Sequence, residues 1–229
     1  MAAIVAAAVS AVFAWVVFTR FTRSGRPAFA AWTTGLLIFA AAAACQAAGE
    51  RIGFNAALFR AFYLLGGVLG VIWLSMGTLF LLAPRPMARA ATIVLVVVTV
   101  ALAIDSAVVP VDTARLGTAA GVLGDAISQG SALHLGAVVL NILGTLILVG
   151  GSGWSAYRLL VDRGGVDRVV CNVLLTAGAL VIAAGFSAAK ITGGSLDSLG
   201  VYEAIGIAVM FVGFLSLGRF KAAAPSRSV

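Results

Sequence analysis

The stretch FRAFYLLGGVLGVIWLSMGTLFLL, residues Phe59–Leu82, decides the fold class of this chain. It is predominantly apolar and has the length that an α-helix needs to cross a bilayer, about 20 residues. It ends at Pro84-Arg85-Pro86, where proline stops a helix and arginine stays in the headgroup layer. The stretch therefore predicts a transmembrane helix.

Four residues of this stretch, Gly66, Gly70, Trp73 and Gly77, are spaced by four, three and four positions. On a regular α-helix this spacing puts them on one face. Small residues on one face allow two membrane helices to approach closely. We therefore expect these four residues to form a helix-packing seam that points toward the interior of a bundle.

The composition extends this prediction to the whole chain. Of the 229 residues, 62% are hydrophobic and only 10% are charged, whereas a soluble domain carries about 25% charged residues. The net charge of +7 does not indicate nucleic-acid binding, because the basic residues lie in short loops between apolar runs. We expect the lipid bilayer, and no nucleic acid, as a partner.

Six further runs have about the length of a membrane span. We therefore expect an all-α, polytopic bundle of seven transmembrane helices, forming one domain over residues 1–221 and followed by a disordered tail over 222–229. The predicted spans are 2–19, 28–48, 59–82, 88–109, 133–157, 169–190 and 199–217.

The distribution of lysine and arginine predicts the orientation. With the N-terminus outside, eleven of the fifteen basic residues lie on the inner side. The other four, on the side called outer below, are Arg51, Arg60, Arg115 and Lys190. The predicted orientation is N-out and C-in.

The two halves of the chain resemble each other at an offset near 140 residues. Tyr63 in the third predicted span corresponds to Tyr202 in the seventh, and Glu50 corresponds in position to Lys190. This offset predicts a parallel 3+1+3 repeat, with the fourth span as a linker. Chance similarity is the alternative, since the matching segments are short and rich in Gly and Ala.

Polar residues cluster at the outer ends of the predicted helices. Charged side chains near the membrane interior are costly unless paired or hydrated, so they usually face the inside of a bundle. We expect an outward-facing pocket that binds a small polar ligand or exchanges protons. The alternative is that these side chains only reach into the headgroup layer. The candidate ligand-binding residues are Glu50, Tyr63, His134, Lys190 and Glu203.

The connection Pro110–Ala132 is the one long loop that the spans leave. It contains the weakly apolar segment GVLGDAI, residues 121–127. Loops of this length are often functional or disordered. The sequence leaves three possibilities open: a cap over the bundle, a segment on the membrane surface, or a solvated loop.

Several chemistries are disfavoured. Cys45 and Cys171 lie in predicted helices without a metal-ligand spacing, and His134 is the one histidine. Lys190 ends the sixth span and not the last, which argues against a retinal protein. We therefore expect no metal, no cofactor and no enzymatic activity.

The segments FYLLGGVLGVIWLSMGTLFLLAPR (62–85) and LNILGTLILVGGSGWSAYRLL (140–160) resemble a family of small bacterial seven-helix membrane proteins whose function is not established. This resemblance implies a bacterial cytoplasmic membrane and brings no catalytic residue. At the level of topology, the 3+1+3 plan is similar to SWEET and PQ-loop transporters, although the chain has no Pro-Gln pair.

The function that these patterns favour is binding or transport of a small polar solute. A non-enzymatic accessory or structural subunit of a larger membrane complex is the alternative, with a homo-oligomer or a complex partner. A receptor-like membrane sensor is the third possibility.

Overall fold

The computed structural model describes residues 1–118, 121–162, 165–192 and 195–217. Within these ranges the fold is all-α, and seven helices are long and apolar enough to cross a membrane. This confirms the predicted seven-helix bundle, so the chain is a multi-pass integral membrane protein. The tail over 222–229, which we expected to be disordered, lies outside the described residues.

Most of the helices extend beyond the predicted spans, since they continue from the apolar run into the polar ends. Asn55, Ser131 and Ser195 each accept a backbone N–H at a helix start. The seven helices are α1 (Ala2–Ser24), α2 (Pro27–Ile52), α3 (Ala56–Leu82), α4 (Arg85–Val108), α5 (Ala132–Val161), α6 (Val166–Ile191) and α7 (Leu196–Ser216).

Two helices depart from regular α-helical geometry within the membrane. α3 is π-helical over Tyr63–Leu69, and α5 is π-helical over Leu146–Gly150. A π-turn adds one residue to a helical turn. At 3.6 residues per turn, one extra residue rotates the following helix faces by about 100°. The spacing of residues along α3 and α5 therefore does not give their faces directly.

Gly66 and Gly77 of the expected seam both face α2. A Cβ atom at Gly66 would lie 3.2 Å from the Cβ of Ala42, and a Cβ atom at Gly77 would overlap the ring of Trp32. Glycine at these two positions thus allows α2 and α3 to pack closely.

Gly70 and Trp73 point elsewhere, so the structure differs from the expected single inward face. The indole N–H of Trp73 donates to the hydroxyl of Thr99 in α4, at 3.1 Å. Gly70 lines a cavity described below. The π-helical turn over Tyr63–Leu69 changes the face of Gly66 relative to the other three residues, which all lie in the regular helix Gly70–Leu82. On that helix Trp73 is about 40° from Gly77 and about 60° from Gly70, and its long indole reaches α4.

Six of the helices form a ring. α1 packs against α2 and α7, α2 against α3, α3 against α5, α5 against α6, and α6 against α7. α4 packs outside the ring on α3 and α5 and is the least buried of the seven. A 3+1+3 repeat pairs α1 with α5, α2 with α6 and α3 with α7. The order of neighbours is compatible with this pairing, because the α1–α7 contact then corresponds to the α5–α3 contact. The repeat itself stays a prediction.

A hydrophobic cluster fills the centre and the inner half of the ring. It contains Phe13, Leu148, Met210 and Phe214, each at most 3% exposed. The α6–α7 interface is equally close, since a Cβ atom at Gly178 would overlap the α7 backbone. The inner half of the bundle is therefore packed.

Candidate functional site

A cavity of about 390 Å³ lies between α3, α5 and α6, and runs from their outer ends to the middle of the bundle. Phe39 of α2 and Met210 of α7 complete its walls. Its volume is within the range of ligand pockets, about 300–1,000 Å³. Packed protein interiors contain few voids much larger than a water molecule, so this space is a distinct feature of the fold.

Both π-helical segments are walls of this cavity. Gly66 and Gly67 of the first segment and Leu148 and Val149 of the second line it. Short π-helical turns inside α-helices frequently occur at functional sites. The two irregular turns thus mark the same place in the molecule.

Asn141 connects these two walls. Its side-chain amide donates to the carbonyl oxygen of Gly67 in α3, at 2.5 Å, and to that of Ala137 in its own helix, at 2.8 Å. A backbone carbonyl in the membrane must be satisfied within the protein, and a π-turn disturbs the regular pairing. Asn141 therefore stabilises the irregular turn of α3 from across the cavity.

The outer end of the cavity is polar. The hydroxyl of Tyr63 lies 3.2 Å from Nδ1 of His134, and both side chains are buried. The backbone N–H of His134 donates to the hydroxyl of Ser131, which caps α5. Lys190 of α6 also lines this end. Below it the walls are mainly apolar.

The loop between α4 and α5 closes the cavity from above. Val122 and Leu123 line the cavity, and Val122 is fully buried. Gly124 has a φ of 127° and lies so close to the Tyr63 ring that a Cβ atom would be 3.2 Å from it. The N–H of Asp112 donates to the carbonyl of Ala126 and closes the loop on itself. Of the three possibilities for this loop, the structure shows the cap.

Three of the five candidate residues meet in this cavity, namely Tyr63, His134 and Lys190. Glu50 lies instead in a separate groove of about 490 Å³ at the outer surface, together with Asp197. Its carboxylate accepts a hydrogen bond from Gln46 at 2.9 Å and lies 3.6 Å from the amine of Met1. The five residues are thus not gathered in one pocket.

Glu203 lines neither of these two cavities, although its side chain is only 4% exposed. Its Oε2 atom, and Oε1 of Gln46, have no hydrogen-bond partner among the described residues. The amide of Gln46 also donates to the carbonyl of Leu196 at 3.0 Å, which ties α2 to α7. Glu50, Gln46 and Glu203 belong to the side of the ring where α7, α1 and α2 meet.

Several residues that line the cavity are not among the candidates predicted from the sequence. Ala179, Ala183 and Ser187 of α6 line the cavity, four residues apart, and Lys190 follows three positions later. This stripe of small residues ending in a lysine is visible in the sequence. It was a usable signal, because positions three and four apart share a helix face.

The cavity also has a side opening. Val138 and Ile142 of α5 line it and are still 45% and 56% exposed. Ser187 and Lys190 of α6 line it and are exposed as well. α5 and α6 pack on each other from Leu146 inward, and they lie apart in their outer halves. Residues that both line a cavity and reach the surface form its mouth.

No group of three His, Cys, Asp or Glu residues in the part of the chain that the structure describes is placed to hold a metal ion. No family model, no curated protein and no solved structure matches this chain.

Proposed function

We propose that this protein is a non-enzymatic carrier or receptor of the bacterial cytoplasmic membrane that binds a small ligand in the cavity between α3, α5 and α6. The observation that carries the proposal is the coincidence of both π-helical segments with the cavity walls. The irregular turns thus support a role for the space that they enclose.

The polar groups of the cavity support the same proposal. Ligand sites are typically apolar with a few convergent polar groups. Here Tyr63, His134 and Lys190 converge at the outer end of an otherwise mainly apolar space. We expected a polar solute from the sequence; this distribution favours a ligand with one polar end.

The packed inner half limits the route of the ligand. The cluster around Phe13, Leu148 and Phe214 separates the cavity from the inner side. In this conformation a ligand reaches the site from the outer half alone. A carrier would need a second conformation in which this cluster opens, whereas a receptor would not.

Mass spectrometry of the intact protein, purified in mild detergent, tests the binding. We expect a bound small molecule in the wild-type protein and its loss in Ala183→Leu, which fills the cavity. Ala184→Leu is the matched control, because Ala184 is the next residue of α6, is exposed and does not line the cavity. Equal occupancy in both variants, or none in the wild type, would contradict the proposal. A stable protein partner in the same preparation would favour the accessory-subunit alternative instead.

A further inference from the structure

The mouth of the cavity faces the lipid and not only the water. On α5 its exposed residues are Val138 and Ile142, which lie six and ten residues from the start of the helix at Ala132. At 1.5 Å per residue these are depths of about 9 and 15 Å, within the outer half of the roughly 30 Å hydrocarbon core. The mouth therefore extends along the outer leaflet.

The outer end of the mouth carries a positive charge. The ammonium group of Lys190 is exposed there and forms no salt bridge with any described residue. With the Tyr63 hydroxyl donating to Nδ1 of His134, the Nε2–H of that ring is a second donor. Asp125 of the cap acts electrostatically on His134 but does not line the cavity. The outer end of the lining thus offers the Lys190 cation and two neutral donors, the His134 ring N–H and the hydroxyl of Ser187, to a ligand head.

The deep end of the cavity is suited to a hydrocarbon chain. Leu74, Leu148 and Met210 form its floor, next to the packed core. From Lys190 to Ala179 the α6 wall covers eleven residues, about 16 Å. Burial of apolar chain against these walls is favourable in proportion to the area removed from water.

We propose that the ligand is an anionic amphiphile with a single apolar chain, which enters sideways from the outer leaflet between α5 and α6. Its head binds Lys190 and its chain lies along α6 toward Leu148. This inference rests on the proposed function and names its ligand class. The head group is a carboxylate of a fatty acid or a phosphate of a lysolipid, and the two share the chemistry that Lys190 recognises.

Three probes with the same chain test this ligand class. They are palmitate, palmitoyl-lysophosphatidylglycerol and the uncharged monopalmitin, each titrated into wild-type protein in phosphatidylcholine nanodiscs. Intact-protein mass spectrometry gives the occupancy. Comparison between variants cancels the partitioning of each probe into the lipid. We expect at least one anionic probe to bind more tightly than monopalmitin by about tenfold or more, as for one hydrogen bond to a charged group.

Two pairs of variants test which residues bind the head and which bind the chain of the ligand. Lys190→Gln should remove the preference for the anionic probe and leave monopalmitin binding unchanged. Arg51→Gln is its control, because Arg51 is also an outer-side cation but lies in the separate groove. Ala183→Leu should weaken all three probes, whereas Ala184→Leu should weaken none.

The outcomes separate this inference from the proposed function. Preference for only one of the anionic probes supports the inference and identifies the head group. Equal binding of all three probes to wild type and Lys190→Gln overturns the anionic head. If no probe binds while a native small molecule is still lost in Ala183→Leu, the amphiphile is wrong and the binding function stands. If neither probes nor a native ligand depend on Ala183, both proposals fall.

Discussion

The two corners of the ring differ in a way that explains where the cavity lies. At one corner α3, α5 and α6 meet, and their outer halves enclose the cavity. At the other corner α7, α1 and α2 meet, and they are in close contact below the surface groove, which reaches no deeper than Ile4 and Ala47. The predicted repeat would place these corners in equivalent positions, and under that prediction one corner is open in its outer half and the other is packed.

The depth of one close glycine contact distinguishes the two corners. Gly144 in the middle of α5 lies against the backbone of Ile72 in α3, whereas Gly200 near the start of α7 lies against the backbone of Ala3 in α1. Above the Gly144 contact, α3 and α5 stay joined through Asn141 and Tyr63, and the outer halves separate between α5 and α6. The Gly200 contact, in contrast, brings the outer ends of α7 and α1 together.

The polar groups follow the same division. At the closed corner Gln46 bonds to the backbone of Leu196 and to Glu50. At the open corner Lys190 has no ion-pair partner among the described residues. Where the helices touch, a polar residue at an outer end thus forms hydrogen bonds between helices. Where they separate, such a residue is a candidate ligand-binding group.

Gly144→Ala should have the largest effect on this comparison. Its Cβ atom would lie 2.8 Å from the backbone nitrogen of Ile72, and a backbone cannot move aside as a flexible side chain can. We expect a loss of about 1–3 kcal/mol in the free energy of unfolding, measured by denaturation in detergent, and loss of the bound small molecule. Gly200→Ala, with a Cβ atom 2.9 Å from the nitrogen of Ala3, should lose similar stability but keep the ligand. Loss of the ligand in both variants would break the distinction between the corners.

Gly124→Ala should have the next largest effect, because it destabilises the cap over the cavity and not the whole bundle. The φ of 127° is unfavourable for alanine, and the added Cβ atom would be 3.2 Å from the Tyr63 hydroxyl. A strained backbone of this kind costs about 1–3 kcal/mol, so we expect faster amide exchange over residues 112–118 and 121–127. Gly117→Ala is the control, since Gly117 has open space around it and lies in the same loop. Unchanged amide exchange in Gly124→Ala would mean that the structure of the loop does not depend on the close contact between Gly124 and Tyr63.

Asn141→Ala should have the smallest effect of the three. It removes the hydrogen bond to Gly67 across the cavity, and such bonds between membrane helices contribute about 0.6–2 kcal/mol. Asn172→Ala is the matched control, because Asn172 bonds only to the carbonyl of Arg168 in its own helix. Equal loss of thermal stability in the two variants would contradict a special role for Asn141 in supporting the π-helical turn.

The bundle could be predicted from the sequence, because the length of an apolar run decides whether a helix spans a bilayer. The end of α3 before Pro84 and the position of polar residues at the outer helix ends could also be predicted, because each depends only on residues that are close in the sequence. Tyr63, His134 and Lys190 were found in this way, and they do meet in the cavity.

The direction in which each residue faces could not be predicted in the same way. A π-helical turn depends on partners such as Asn141, which lies 74 residues from Gly67 in the chain. It rotates the helix faces after Leu69 relative to Gly66, so an even helical period along Phe59–Leu82 does not give them. Glu50 was grouped with Lys190 because both end a helix at the same side, but depth in the membrane does not give position around the ring.

One paired measurement tests the difference between the corners most directly. Ala183 of α6 lines the cavity, whereas Ala43, 140 residues earlier in α2, is only 1% exposed and does not line it. We propose measuring thermal unfolding of ligand-depleted Ala183→Leu and Ala43→Leu. We expect Ala183→Leu to unfold near the wild-type temperature, and Ala43→Leu to lose about 1–3 kcal/mol by overpacking. Equal destabilisation of both variants would contradict an open cavity at the α3–α5–α6 corner.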